Sequence, residues 1–319
     1  MDLEIWHNVT GAVDRALRAV PHQGRRPVYA DRLIVLMLLW TVWHDRCLSW
    51  ACVRSHYGTL FRPRALPSIS RFSRRVKSER VRTVLQHVHD DLSVRGTATP
   101  FDLLSYVDGK AVLVSPVSKD PDAKRGKAGG GFAKGYKFHA FINEQRRVVV
   151  WSVTPLNTDE KVVATAMLEH LPAGHGQADA SSAGIARQAP LTLGDTNYDS
   201  ANLHRAFVDR GRHLLTPLRG EQFVGPNGRS PKTLTNMGPA RQEVVTTWAE
   251  HPDLTKYVLK SRNNAEGTFS VLSLACGLDR LPGFVRRLPR VTRWIGCKVL
   301  LYHARLLAQA ADEREAASP

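Results

Sequence analysis

Three acidic residues, far apart in the chain, stand where a charged side chain is unusual or isolated. Asp108 follows the apolar stretch LLSYV, Asp195 ends the apolar stretch LTLG, and Glu266 begins a helical pattern in KSRNNAEGTFSVLS. A carboxylate at the end of a core strand is costly unless a partner compensates its charge. Oxygen ligands of this kind suit Mg²⁺ or Mn²⁺. The three acids could therefore hold metal ions if the fold brings them together.

Each acid also has a purely structural interpretation. The DG dipeptide at Asp108, flanked by apolar residues, is typical of a type I′ hairpin turn. Asp195 could cap the helix that follows, although Ser200 or Asp199 can serve as that cap. Glu266 could pair with Arg262 one helical turn earlier, a surface interaction worth about 0.3–0.5 kcal/mol. Taken one at a time, the acids leave both interpretations open.

The segments around the acids predict a layered α/β domain. Segments rich in β-branched and aromatic residues predict three consecutive antiparallel strands at 103–114, 134–143 and 146–155. A helix capped by Thr158 follows, then a strand ending at Asp195, a helix closed by Gly211 and another strand. The order β-β-β-α-β-α-β is that of an α/β layered domain.

Other segments of the chain predict loops, a small insertion and further helices. Residues 172–189 and the basic, Gly-rich segment 118–135 predict flexible loops. Two strands around EVVTTW and KYVLK predict a small β insertion within residues 217–260. A helix from Asn263 and a basic helix from Val291 to Ala311 complete the chain.

The N-terminal third predicts helices with a basic face. Apolar patterns indicate helices at 30–43 and 48–57 and a third across PSISRFSRRVKSERVRTVLQHVHDDL, capped by Ser68 or Ser70. The basic residues on the third helix are either a solvated face or contacts to DNA phosphates. The predicted DNA contacts in this helix are Arg71, Arg74 and Arg75.

Composition favours a polyanionic partner. The 319 residues include 45 Lys and Arg against 29 Asp and Glu, a net charge of +16, so nucleic acid heads the possible partners.

The apolar run from Leu33 to Trp43 has about half of the ~20 residues that a membrane-spanning helix needs, and the N-terminus lacks the pattern of a secretion signal. We expect a cytoplasmic protein with no membrane partner. The Gly-rich segment has Tyr136 where a phosphate-binding loop needs lysine, which argues against a nucleotide cofactor.

Five ordered segments resemble the DDE transposases of bacterial insertion sequences: YVDGKAV, GYKFHAFIN, SVTPLNTDEK, LGDTNYDS and SRNNAEGTFSVL. The resemblance covers roughly residues 100–280, and PSISRFSRR resembles the helical N-terminal region of such proteins. It implies an α/β fold, an RNase H-like mixed sheet with flanking helices, preceded by a helical N-terminal domain. The implied domains are 1–98, helical and DNA-binding; 99–283, catalytic; and 284–319, a basic helix and tail.

The resemblance also implies roles for the three acids. Asp108, Asp195 and Glu266 would be the catalytic residues and the ligands of two Mg²⁺ ions, which Mn²⁺ can replace, with Asp108 bridging both ions. Two such ions about 3.5–4 Å apart can activate a water or a 3′-hydroxyl at a phosphodiester.

Further DNA contacts follow from the family's motif Y-x2-R-x3-E-x6-K. Arg262 matches its arginine, whereas Leu259 stands at the tyrosine position and Ser273 at the lysine position. Arg262 would contact a DNA phosphate or orient Glu266, and the neighbouring Asn263 is a further predicted DNA contact. Lys134, Lys137 and His139, beside the second strand, are either DNA contacts or exposed strand charges.

The implied protein is a transposase that binds terminal inverted repeats, cleaves DNA and joins 3′-hydroxyl ends to target DNA. Its partner would be double-stranded DNA, held by a homodimer in the bacterial cytoplasm, at the nucleoid when bound. Two other functions remain open: a DNA-binding protein derived from a transposase that no longer cuts, and a nuclease of the same fold without strand transfer.

Overall fold

The computed structural model describes residues 2–22, 24–25, 27–95, 102–171, 190–218 and 238–317. The chain forms two compact units. The first comprises Met1–Gly96, Leu113–Ala123 and Val271–Pro319, and the second comprises Thr97–Val112 and Lys124–Ser270. None of the helices within the described ranges is long and apolar enough to cross a membrane.

The first unit is helical. Its helices are α1 (Leu3–Ala19), α2 (Asp31–Trp43), α3 (Ile69–Arg75), α4 (Glu79–Val94) and α10 (Leu288–Ala317). The most apolar of them, α2, is buried along nearly its whole length, and α1, α4 and α10 pack around it. The apolar run that the sequence places at 33–43 is therefore the centre of a helical core.

Two of the predicted N-terminal helices differ from the structure. The predicted second helix is instead a pair of 3₁₀ helices, Trp50–Cys52 and Arg54–His56. The predicted third helix is interrupted between α3 and α4, because the Ser78 hydroxyl accepts a hydrogen bond from the Val81 N–H and begins a new helix. The sequence therefore located the helical region, but not its breaks.

The second unit is built on a mixed sheet. Its strands are β1 (Leu104–Leu113), β2 (Lys124–Ala128), β3 (Gly131–Asn143), β4 (Val148–Pro155), β5 (Leu191–Leu193) and β6 (His213–Leu215). Among the described residues the strand order is β2-β3-β1-β5-β6, with β4 paired to β3. The β2, β3 and β4 pairs are antiparallel, whereas β1, β5 and β6 are parallel.

Helices flank this sheet: α5 (Glu160–Leu168), α6 (Ala201–Val208), α7 (Pro239–Glu250), α8 (Pro252–Lys260) and α9 (Asn263–Leu274). Residues of α5 and α6 share an apolar core with Val107 and Phe141 of the sheet. The predicted fold class is confirmed as a mixed α/β sheet with flanking helices and a helical N-terminal region.

Two predictions within this unit are wrong. The segments EVVTTW and KYVLK, predicted as strands, lie in α7 and α8, and each helix begins with a proline, which favours the first helical position. The basic segment predicted as a loop instead contributes β2 and the start of β3. Residues 172–189, the other predicted loop, and 219–237 of the predicted insertion lie outside the described residues.

The parallel register places two of the acids side by side. Tyr106 of β1 pairs with Leu193 of β5, and Asp108 and Asp195 each follow two residues later. In open α/β sheets the crevice beyond the carboxyl ends of the strands is the usual place for a site. The fold therefore brings the first two acids to one edge.

Candidate active site

Asp108 lies inside strand β1, and the hairpin-turn interpretation of it is wrong. Its side chain is 17% exposed, and its Oδ1 accepts a hydrogen bond of 2.7 Å from the Gly109 N–H. A Cβ on Gly109 would stand 3.1 Å from Lys137 Cδ and 3.3 Å from His139 Nδ1. The glycine of the DG pair thus allows β3 to approach closely, and it makes no turn.

The charge of Asp108 is only partly compensated. Burial raises the pKa of this carboxyl to about 6 and outweighs the opposing effect of the Gly109 hydrogen bond. The negative charges of Asp195 and Glu160 raise the pKa further, and Arg262 lowers it. A buried acid among other acids is the environment in which a hard cation is favourable.

Asp195 is held in place by its own turn. Its Oδ1 accepts a hydrogen bond of 2.8 Å from the Asn197 N–H, and its Oδ2 accepts one of 3.1 Å from the Asn197 side-chain amide. It therefore caps the 3₁₀ helix Thr196–Tyr198, whereas Ser200 caps α6. Asp195 is therefore a cap after all, although of this short 3₁₀ helix and not of α6. Its capping hydrogen bonds fix the carboxylate just beyond the carboxyl end of strand β5.

Glu266 forms the ion pair with Arg262 that its spacing predicts, and Arg262 also lies near Asp108. Arg262 Nη2 lies 2.8 Å from Glu266 Oε1, and Arg262 Nη1 lies 3.8 Å from Asp108 Oδ2. The Glu266 side chain is 57% exposed. Asn264 fixes α9 against the sheet by donating a hydrogen bond of 3.1 Å to the Tyr106 hydroxyl. The arginine therefore joins the first and third acids.

Two further residues, Glu160 and Tyr198, belong to the site although sequence reasoning missed them. Glu160, in the first turn of α5, forms an ion pair with Lys137, and both side chains are largely covered. The Tyr198 hydroxyl is buried without a hydrogen bond of good geometry. Burial, then the charges of Glu160, Asp108 and Asp195, raise its pKa well above the ordinary value. In the sequence, Glu160 is an acid in the first turn of a helix, where an acid favours the helix dipole, and this position gives no sign of a site.

The structure buries the ring of His139, which the sequence predicts as a DNA contact or an exposed strand charge. Its Nε2 shares a hydrogen bond of 2.9 Å with Thr154 Oγ1, and burial lowers its pKa to about 3, so the ring is neutral. Lys137 is largely covered and forms an ion pair with Glu160. Lys134 lies half-buried on β3, and Asn263 is exposed at the start of α9.

The predicted contacts on α3 divide into two kinds. Arg71 and Arg74 are exposed. Arg75 instead donates a hydrogen bond of 3.0 Å to the Tyr29 carbonyl and pairs with Asp31. Arg75 is therefore a structural residue of the helical unit, and Arg71 and Arg74 remain available to a phosphate backbone.

A cleft of about 880 Å³ contains the strand-end acids. Asp108, Asp195 and Glu160 line it, together with the segments 125–132 and 156–161. Within the described residues, no group of three or more His, Cys, Asp or Glu side chains is arranged to hold a metal ion. The carboxylate oxygens of these acids are nevertheless the ligand type that a hard divalent cation prefers. The Asp108 carboxylate is largely buried, and the Arg262 guanidinium, 3.8 Å away, is beyond hydrogen-bond distance.

Comparison with known families gives a match over a range that includes the three acids. A model of the transposase DDE domain family matches residues 99–302. Among solved structures, the piggyBac transposase in a synaptic complex with hairpin DNA aligns with 98% of this chain and 74% of its own chain, with 10% identity and a TM-score of 0.46. No curated protein sequence gives a significant match.

Proposed function

The chain belongs to the transposase DDE domain family, and from this premise we propose that it binds the terminal inverted repeats of an insertion sequence, cleaves DNA there and joins the 3′-hydroxyl ends to target DNA. One observation carries the proposal. Asp108 and Asp195 follow the same register pair of two adjacent parallel strands, and both line one open cleft.

Asp108, Asp195 and Glu266 are the residues proposed to hold two Mg²⁺ ions, for which Mn²⁺ can substitute. Bound ions would supply the activation of a water or a 3′-hydroxyl and the stabilisation of the leaving oxygen. The chain itself supplies the positions: β1 holds Asp108 in the sheet, Asn197 holds Asp195, and α9 holds Glu266.

Arg262 is proposed to exchange its acidic partners for a DNA phosphate when cations bind the three acids. It pairs with Glu266 and lies near Asp108, so it offsets part of the repulsion between the acids. Once other positive charge satisfies the acids, its guanidinium can contact a DNA phosphate, a ligand that suits its planar, forked geometry.

DNA is the proposed partner. The net charge of +16 favours a polyanion, and Arg71 and Arg74 on α3 are exposed for phosphate contacts. Two transposon ends must be held together during joining, so we propose that a homodimer acts on double-stranded DNA. A bacterial chain of this kind would act in the cytoplasm, at the nucleoid.

The test is strand transfer. The terminal repeats are first read from the DNA that flanks the gene, and duplexes with pre-cut 3′-hydroxyl ends are then incubated with a supercoiled plasmid and Mg²⁺. We expect joined products from the unmodified chain and from Asp253→Asn, an exposed acid on α8 that serves as control. Cleavage without joining would instead indicate a nuclease, and end binding without either reaction would indicate a DNA-binding derivative.

A further inference from the structure

The ribbon formed by β2 and the start of β3 is strongly cationic. Residues 124–134 include four basic side chains and no acid. Arg125 pairs with Lys134 across the ribbon, and Lys127 pairs with Phe132. Directly paired residues project from the same face of a sheet, and alternate residues of a strand share a face. The ribbon therefore presents Arg125, Lys127, Lys134 and Phe132 together.

The opposite face of the ribbon is made of small residues. Gly126 pairs with Ala133, and Ala128 pairs with Gly131. A Cβ on Gly126 would stand 2.5 Å from the Leu156 carbonyl oxygen, so this face lies directly on the chain that leaves β4. This contact fixes the position of the ribbon. Leu156 covers the face of small residues and does not cover the face that carries the basic residues.

Phe132 stands at the tip of this ribbon, next to the turn at Gly129 and Gly130, whose φ angles are 55° and 85°. Its side chain is 76% exposed, so burial of this ring contributes little to folding. An exposed aromatic ring among cations is the pattern with which proteins bind single-stranded nucleic acid: the bases stack on the ring and the cations follow the backbone.

The position of the ribbon indicates where such a strand would lie. The segment 125–132 lines the same cleft as Asp108 and Asp195. The cleft volume, about 880 Å³, lies within the range of small-ligand sites, roughly 300–1,000 Å³. A cleft of this size accommodates a few nucleotides of one strand.

We propose that the ribbon binds a single DNA strand at the mouth of the cleft, with Phe132 stacked on a base and with Arg125, Lys127 and Lys134 on the backbone phosphates. The proposal rests on the proposed function in one respect, namely that the strand's phosphodiester bond is presented to Asp108. It adds a binding surface that none of the three acids supplies.

The experiment measures binding in EDTA, so that it is independent of cleavage. The probes are a fluorescent oligothymidine of about 12 nucleotides, within the usual size of a single-strand site, and a blunt duplex of the same length. Phe132→Ala is compared with Phe132→Trp and with Val162→Ala, a matched control because Val162 is 65% exposed on α5 of the same unit.

Stacking on one ring is worth about 1–3 kcal/mol per base, or roughly 5- to 150-fold in affinity. We therefore expect Phe132→Ala to bind oligothymidine at least about fivefold more weakly and the duplex with unchanged affinity. Phe132→Trp and Val162→Ala should bind the single strand as tightly as the unmodified chain. Lys127→Ala should lower the slope of log affinity against log salt by about 0.7 for the single strand.

Unchanged oligothymidine binding by Phe132→Ala would overturn the proposal, as would an equal loss for oligothymidine and duplex. A chain that shows the Phe132-dependent preference for the single strand but joins no ends would contradict the proposed function alone. A chain that joins ends without this preference would contradict the ribbon proposal alone.

Discussion

The guanidinium group of Arg262, in the turn between helices α8 and α9, lies 3.8 Å from the carboxylate of Asp108 on strand β1. The same group pairs with Glu266 at 2.8 Å. An arginine that looked like half of a surface ion pair therefore links the first and third acids of the proposed site. In the structure it is the positive charge that these two acids share.

Arg262→Gln removes this charge while keeping a polar side chain. Because Arg262 lowers the pKa of Asp108, we expect the variant to raise that pKa further above about 6. The titration of the Asp108 carboxyl carbon by NMR measures the change directly. Arg205→Gln, at an exposed position on α6, serves as the control and should leave the Asp108 pKa unaltered; an unaltered pKa in Arg262→Gln as well would contradict the link.

Asp108→Asn should remove a pH dependence of stability. The folded pKa, about 6, is above the unfolded value of about 3.9, so the folded state binds the proton more tightly. The stability that this gives is complete below pH 4 and is lost as pH rises through 6. At pH 7 we therefore expect Asp108→Asn to be more stable than the unmodified chain by about 2–3 kcal/mol.

Urea denaturation at pH 4 and pH 7 checks this expectation. The difference between the two proteins should be small at pH 4 and full at pH 7, and Asp253→Asn should show no such change. An Asp108→Asn variant that is less stable than the unmodified chain at pH 7 would show that the carboxylate is well compensated in the fold.

Arg241 is expected to hold the loop after Asp195. Its Nε and Nη2 each donate a hydrogen bond of 2.7 Å to the Asp199 carboxylate, and both residues are buried. Arg241→Ala removes both of these hydrogen bonds and the positive charge from a buried carboxylate, so we expect a loss of about 3–5 kcal/mol in the free energy of unfolding. Arg205→Ala, on the surface of α6, should cost far less, and equal losses for the two variants would refute the role of the buried pair.

Two glycines of the β2–β3 ribbon provide a matched pair. A Cβ on Gly126 meets the Leu156 carbonyl oxygen at 2.5 Å, whereas a Cβ on Gly131 meets nothing within 4 Å. We expect Gly126→Ala to cost about 1–3 kcal/mol through overpacking and to weaken oligothymidine binding, since the ribbon must shift. Gly131→Ala should leave both quantities close to those of the unmodified chain, and similar behaviour of the two variants would mean that the ribbon does not depend on Leu156.

Much of the second unit was predictable because its signals are local. Runs of β-branched and aromatic residues located β1, β3 and β4, and short apolar runs located β5 and β6. The acids that follow two of these apolar runs drew attention to Asp108 and Asp195. The register that sets these two acids side by side depends on long-range strand pairing, and no local pattern shows it. The hairpin interpretation of Asp108 was wrong for the same reason: Gly109, which has no side chain, leaves room for Lys137 and His139 on the neighbouring strand.

Other features were hidden because their sequence signals favour something else. Strand β2 consists of lysine, arginine, glycine and alanine, residues that rarely form strands, and the fit of Gly126 onto Leu156 explains why this segment is nevertheless ordered. Glu160 resembled an ordinary first-turn acid, and its pairing with Lys137 needs α5 to pack on β3. His139 looked like a possible phosphate contact, and only burial shows that it is neutral.

The most direct test of the central claim, that Asp108, Asp195 and Glu266 form one DNA-cleaving site, is the cleavage rate of transposon-end DNA with Mg²⁺. Asp108→Asn, Asp195→Asn and Glu266→Gln are compared with the unmodified chain and with Asp253→Asn, and folding is checked by circular dichroism. We predict that each of the three variants cleaves about 100-fold more slowly or worse, with end binding retained, while Asp253→Asn cleaves normally. Cleavage at the unmodified rate by these three variants would contradict the account.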